Sequence, residues 1–209
     1  MFFAHRGLVT KDSPENSVTS LTAAYKAGFR GVEFDLWFLD GKFVVKHDEP
    51  KGEELPSLRD FLRFGNEMTY WLDFKNLDES NANKAFELTK QEISRAKIDF
   101  SKIYFAPFIT DYSLAEKVKN ILGKNFQFVA FCINKAQIPA LENFYQKNQI
   151  KFLSVFHELI DADFIKKFSG AEIFAWSVND LERLKKLAAL GVNNFATNTH
   201  YTKIFSPFF

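Results

Sequence analysis

Cysteine occurs once in this chain, at Cys132, so neither an intrachain disulfide nor a thiolate zinc site can form. Net charge is almost missing as well: 27 Lys and Arg against 26 Asp and Glu leave +1. That balance gives no general attraction for nucleic acid or an anionic membrane surface, and a charged ligand must be held by a local site. No apolar run has the length of a membrane span, so no stable membrane anchor is expected. The opening "MFFAHRG" lacks a basic n-region and room for an apolar core, so no signal peptide is expected and a cytoplasmic location follows. Repeats, low-complexity segments and linker-like breaks are lacking too, which predicts one domain over residues 1–209.

Phenylalanine is what abounds, with 26 copies that recur in nearly every strand-like segment. Core filling accounts for most of them, and Cys132 in "FQFVAFCI" reads as a small buried hydrophobe. A lipid-facing surface is the alternative, with the terminal "IFSPFF" (204–209) as its best candidate. Nine short runs read as strands: "MFFAH", "GVEFDLWF", "KFVVKH", "TYWLDF", "KIYFAPF", "FQFVAFCI", "IKFLSVF", "EIFAWSV" and "NNFAT". Most are continuously apolar, as parallel strands covered on both faces are.

Amphipathic stretches separate these runs. In "SPENSVTSLTAAYKAG" the pattern predicts a helix capped by Ser13, with Pro14 at its first position and Gly28 as its stop. In "NDLERLKKLAALG" it predicts another, capped by Asn179, with Glu182 completing a capping box and Gly191 ending it. Further helices are expected near 58–64, 82–96, 114–122, 139–147 and 162–168. Repeated β-then-α units predict an α/β fold, a (β/α)8 TIM barrel. Nine strands are one too many, and "LDGKF" (39–43) is too short to hold a helix. The barrel is therefore expected to be distorted there, with one strand lying outside it.

Polar residues interrupt the apolar runs at their C-terminal ends, where parallel barrels carry their chemistry. These are His5 and Arg6, Glu33 and Asp35, His47 and Asp48, Asp73 and Lys75, Trp176 and Asn179, and finally Asn198. Glu33 and Asp35 leave their strand on the same face, which is costly in apolar surroundings unless a cation lies between them. With Asp73 they form a set of hard oxygen donors that suits Mg²⁺ or Ca²⁺ better than zinc. Arg6 and Lys75 add positive charge for an anionic substrate, and His5 and His47 are of the type that exchanges protons near neutrality. The set points to phosphodiester cleavage, although each member has a plainer reading: a hydrogen-bonded histidine, a solvated lysine, a core tryptophan. His157 and His200 have no such surroundings and read as structural. A glycosidase using Glu33 and Asp35 is disfavoured, because both acids share one strand.

The motifs "AHRG" (4–7), "PENS" (14–17), "VEFDL" (32–36), "DGKFVVKHD" (40–48), "WLDFKN" (71–76), "AWSVND" (175–180) and "GVNNFATN" (191–198) occur in this order. Together they resemble the glycerophosphodiester phosphodiesterase family, within the phosphatidylinositol-phospholipase-C-like barrels. The resemblance implies a distorted (β/α)8 barrel and metal-dependent hydrolysis of glycerophosphodiesters to glycerol 3-phosphate and an alcohol. It places the acid–base pair on His5 and His47, and one divalent cation, Mg²⁺ or Ca²⁺, on Glu33, Asp35 and Asp73. Arg6 and Lys75 match phosphate-handling positions, Glu15 and Asn16 a motif lining the site, and Trp176 a substrate-side aromatic. The implied partner is a small-molecule phosphodiester.

Three departures bear on this expectation. Asp73 stands where the family usually has Glu. Asn198 ends a "TN" where the family usually has "TD". Only "EPKGEELPS" (49–57) stands where a small subdomain is usually inserted, so a bare barrel with an open site is expected. Alternative substrates are a lysophospholipid or a glycerol-phosphate polymer. A further alternative is a catalytically impaired barrel that binds a phosphorylated ligand.

Overall fold

The computed structural model describes residues 1–123 and 126–200; the terminal "IFSPFF" lies outside them. Eight parallel strands close into a barrel: β1 (Phe2–His5), β2 (Gly31–Leu39), β4 (Thr69–Phe74), β5 (Ile103–Pro107), β6 (Gln127–Cys132), β7 (Phe152–Phe156), β8 (Glu172–Trp176) and β9 (Asn194–Thr197). Pairing of β1 with both β2 and β9 completes the circle. The supernumerary strand is β3 (Lys42–Val45), which runs antiparallel to the outer half of β2, with Leu36 opposite Val45 and Leu39 opposite Lys42. Asp40 and Gly41 turn that hairpin with φ of 48° and 74°, the two positive values a tight hairpin turn requires. The distortion expected at "LDGKF" is thus a hairpin.

Helices connect the remaining strands: α1 (Val18–Lys26), α2 (Leu58–Phe61), α3 (Ala82–Arg95), α4 (Tyr112–Leu122), α5 (Ile138–Asn148), α6 (Ala162–Lys167) and α7 (Leu181–Ala189). Their apolar faces pack on the outer faces of the strands in one large core containing Leu21, Val32, Phe34, Phe86, Val118, Leu141 and Leu184. A separate cluster fills the barrel itself, built on Phe3, Trp71, Phe131 and Phe174. Trp71 meets Phe3 and Phe174 edge to face, at 5.7 and 5.1 Å between ring centres. Room for Phe3 comes from Gly31, where a Cβ would lie 2.8 Å from the Phe3 ring. Because side chains alternate along a strand, each plug residue predicts a neighbour above it. Phe3 precedes His5 by two, Trp71 precedes Asp73, and Phe174 precedes Trp176. An aromatic floor therefore underlies the polar strand ends.

Two expected helix starts are corrected. Helix α1 begins at Val18, capped by Ser17, whose side chain accepts from the Ser20 N–H while Ser20 reciprocates. Residues 13–16 are instead a loop, because Asn16 is bonded to Asp35 across the barrel mouth and takes a left-handed φ of 55°. Helix α7 is capped by Asp180, which accepts from the Arg183 N–H at 2.7 Å, and Asn179 is drawn to β9. Helix α2 stops at Phe61, three residues short of the expected 64, where the chain turns toward Gly65 with its φ of 52°; the other helices lie within two residues of their expected spans.

Gly7 permits the sharp turn after β1. Its φ is 80°, and a Cβ there would lie 2.4 Å from Ser20 Oγ. Gly7→Ala is expected to destabilise the fold by about 2–3 kcal/mol, as read by urea unfolding; an unchanged midpoint would show that the turn relaxes freely. Among the described residues, no helix is long and apolar enough to cross a membrane.

Candidate active site

A cavity of about 340 Å³ opens at the C-terminal ends of the strands. His5, Arg6, Glu33, Asp35, His47, Asp73 and Lys75 line it. Trp37, Trp71, Phe108, Phe131 and Trp176 complete the lining, with Lys75 Nζ 5.0 Å from the centre of the Phe108 ring. Of the acids, bases, histidines and aromatic residues expected from the strand ends, the structure brings all but Asp48 to this cavity; Asp48 lies outside it, exposed and paired with His47.

Glu33, Asp35 and Asp73 are 3%, 1% and 7% exposed, and one carboxylate oxygen from each lies within 4.8 Å of the others. Strand register produces the cluster: Asp35 is directly opposite Asp73 across the β2–β4 pair, and Glu33 opposite His5 across β1–β2. Two cationic side chains reach into it. Lys75 Nζ lies 2.7 Å from Asp35 and 2.6 Å from Asp73, while Arg6 Nε lies 3.2 Å from Asp35. Burial opposes charge on Lys75, yet Asp73 and Asp35 outweigh it and raise its pKa.

Positive charge still falls short. Burial, then Asp35 and Asp73, push the Glu33 carboxyl well above the usual range. Burial likewise lifts Asp73 to about 7 despite Lys75. Among the described residues, Asp73 Oδ1 is buried without a hydrogen-bond partner. Three crowded, oxygen-only donors, one of them with a buried oxygen left without a partner, fit a hard divalent cation, which would favour the charged forms of Glu33 and Asp73.

The loop after β1 is folded around this cluster. Arg6 adopts a left-handed φ of 57°, and its backbone N–H donates to the Glu33 carboxylate at 3.0 Å. Holding a non-glycine residue there costs of order 1 kcal/mol. The guanidinium also pairs with Glu15 at 3.0 Å. Asn16 donates to Asp35 Oδ2 at 2.6 Å and accepts from the Asp35 N–H at 3.2 Å. Glu15 and Asn16 therefore hold Arg6 and Asp35 from behind, and neither lines the cavity.

The two histidines differ in setting. The His5 side chain is 15% exposed, with Nδ1 2.9 Å from Asn198 Oδ1 and Nε2 3.9 Å from Glu33. Burial, then Arg6, lowers its pKa to about 4. His47 is 42% exposed, its Nδ1 2.8 Å from Asp48. It does not end a barrel strand but follows the hairpin strand β3, and Trp37 Nε1 donates to its carbonyl at 3.4 Å.

Some lining residues escaped the sequence reading. Trp37 and Trp71 carried a usable signal, since each is two residues from an acid of the cluster and shares its face. Phe108 and Phe131 carried none, because they lie in the stretch after Ile103 where apolar residues have no distinguishing pattern. His157 and His200 are away from the cavity, bonded to Arg183 and to the Ala27 carbonyl.

Comparison with known proteins bears on the family and the fold. Residues 5–157 match the model of the glycerophosphoryl diester phosphodiesterase family. No curated protein matches the sequence. Among solved structures, the fold is similar to a glycerophosphodiester phosphodiesterase from Parabacteroides distasonis, with a TM-score of 0.79 at 20% identity, covering 99% of this chain and 96% of that one. It is also similar to an Oleispira antarctica phosphodiesterase in complex with the product sn-glycerol-3-phosphate (TM-score 0.74, 19% identity, 99% and 95% covered). A third similar structure is a glycerophosphodiester phosphodiesterase from Agrobacterium tumefaciens (TM-score 0.71, 13% identity, 95% and 96% covered).

Proposed function

This chain belongs to the glycerophosphoryl diester phosphodiesterase family, a family of phosphoric diester hydrolases, and we propose that it hydrolyses glycerophosphodiesters to glycerol 3-phosphate and an alcohol, with one bound Mg²⁺ or Ca²⁺. The observation that carries the proposal is the convergence of three buried acids, two cationic side chains and two histidines on one cavity. The product bound to the Oleispira antarctica neighbour is of the class expected here.

Glu33, Asp35 and Asp73 would hold the cation, which when bound supplies charge neutralisation at the phosphoryl oxygens. Charge balance supports this. Three carboxylates against Arg6 and Lys75 leave one negative charge at the cluster, and a divalent ion turns that into one positive charge. A phosphodiester monoanion complements it. Arg6 and Lys75 orient the phosphoryl group through their N–H donors. His5, with Nε2 on the Glu33 side, accepts the proton of the attacking group. His47, held by Asp48, delivers a proton to the leaving alkoxide. Glu15 and Asn16 keep Arg6 and Asp35 in place. The aromatic lining residues, Trp176 among them, receive the organic part of the substrate.

A second reading keeps this chemistry with a lysophospholipid as substrate. The observation favouring it is Phe108, a large apolar side chain in the cavity lining that is 37% exposed.

The test is release of glycerol 3-phosphate from soluble headgroup diesters and from lysophospholipids. Chelation by EDTA is expected to lower activity at least about 100-fold, and Mg²⁺ or Ca²⁺ to restore it. Activity indifferent to EDTA would overturn the metal role. Divalent binding by calorimetry without cleavage of any diester would leave a barrel that only binds.

A further inference from the structure

We propose that Asn198 is a positioning residue for His5: its side-chain oxygen holds the imidazole as the Nδ1–H tautomer, with Nε2 turned to the acid cluster. The inference rests on the reading of His5 as the proton acceptor and adds a residue to that site.

The geometry is specific. Asn198 Oδ1 is 2.9 Å from His5 Nδ1, and an amide oxygen only accepts, so the hydrogen belongs to Nδ1. Nε2 is then left unprotonated, 3.9 Å from Glu33 Oε2. Ser177 Oγ lies 3.4 Å from both ring nitrogens, against the ring rather than in line with one of them; it limits the tilt of the ring without choosing a tautomer. The choice falls to Asn198.

Asn198 is itself fixed from behind. Its backbone N–H donates to Asn179 Oδ1 at 2.8 Å, and the Thr197 hydroxyl donates to the same oxygen at 3.2 Å. Thr197 Oγ1 in turn accepts from the Thr199 N–H at 3.0 Å. This network explains why Asn179 does not cap α7. It ties the loop after β8 to the end of β9, and so sets where the Asn198 amide meets the ring.

A carboxylate at this position would also accept from Nδ1–H but would place a fourth acid beside Glu33, Asp35 and Asp73. The amide supplies orientation without charge. A histidine whose non-reacting nitrogen is tied to an acceptor presents its other nitrogen in a defined state, and loss of such a partner typically lowers function 10–100-fold.

The test is the ¹⁵N spectrum of the histidine-labelled full-length protein, with and without Mg²⁺, the His5 signals being assigned by their loss in His5→Ala. The expected result is a protonated Nδ1 and an unprotonated Nε2 in the wild type and in Asn198→Asp. Asn198→Ala is expected to shift His5 toward the opposite tautomer. It should also lower kcat about 10–100-fold with KM within about threefold, and Asn198→Asp is expected to recover most of that loss. A wild-type His5 protonated at Nε2 overturns the proposal without any variant, so misfolding of Asn198→Ala would not shield it. An Asn198→Ala protein with an unchanged tautomer and kcat also overturns it. If the wild type cleaves no diester while the spectra behave as described, the positioning role stands and the hydrolase reading fails.

Discussion

His5→Ala is expected to lower kcat about 1,000-fold while KM stays within a few-fold. The size follows from removing a proton acceptor aligned at the reacting centre, which general acid–base catalysis values at about 10²–10⁴. The split between the constants follows from geometry. Arg6, Lys75 and the acid cluster, which would bind the phosphoryl group, do not depend on the imidazole for their contacts with one another. His5 is tied through Asn198 and lies at the edge of the core, so the variant should fold. His47→Ala should show a comparable loss, and the double variant much less than the product of the two, because acid and base act in one step. A His5→Ala protein retaining more than a tenth of wild-type kcat would remove this residue from the chemistry.

Asp35→Asn is expected to weaken divalent-ion binding at least about 100-fold, read by isothermal calorimetry, and to abolish turnover at physiological metal levels. Changing even the partner of a metal ligand costs 10–100-fold, and Asp35 is central to the cluster rather than behind it. Lys75, Arg6 and Asn16 all converge on it. The effect on stability should be smaller than for an ordinary buried ion pair, which costs about 3–5 kcal/mol to break. Removing one acid also relieves the crowding that raises Glu33 and Asp73. Undiminished metal affinity in Asp35→Asn would place the ion elsewhere.

The contrast between these residues follows how each was legible. Glu33 and Asp35 stand out as charges two apart in an apolar strand, and burial of both on one face bears that reading out. Asp73 and Lys75 share the same logic on β4. His47 was found for a partly mistaken reason: it belongs to a hairpin, not to the end of a barrel strand. It reaches the cavity because β3 folds back over β2. Asn16 and Glu15 sit in a segment that reads as a helix start, yet their bonds across the mouth outweigh the local capping preference. Asn198 is visible in sequence only as the missing charge of a "TN", and its contact with His5 needs β9 and β1 to be neighbours.

The amino-acid sequence by itself determined the alternation of strands and helices, the surplus strand at "LDGKF", and the face on which each strand-end residue emerges. These are local properties: side-chain periodicity, turn chemistry and the cost of burying charge act over a few residues. Tertiary structure alone decided which of those faces meet. Closure of β1 against both β2 and β9 sets Glu33 and Asn198 on either side of His5, although 193 residues separate His5 from Asn198. It also brought Phe108 and Phe131 into the lining of the same cavity as the acids. Nothing in an apolar run distinguishes a residue that fills a core from one that lines a cavity; that difference is made by what stands across from it.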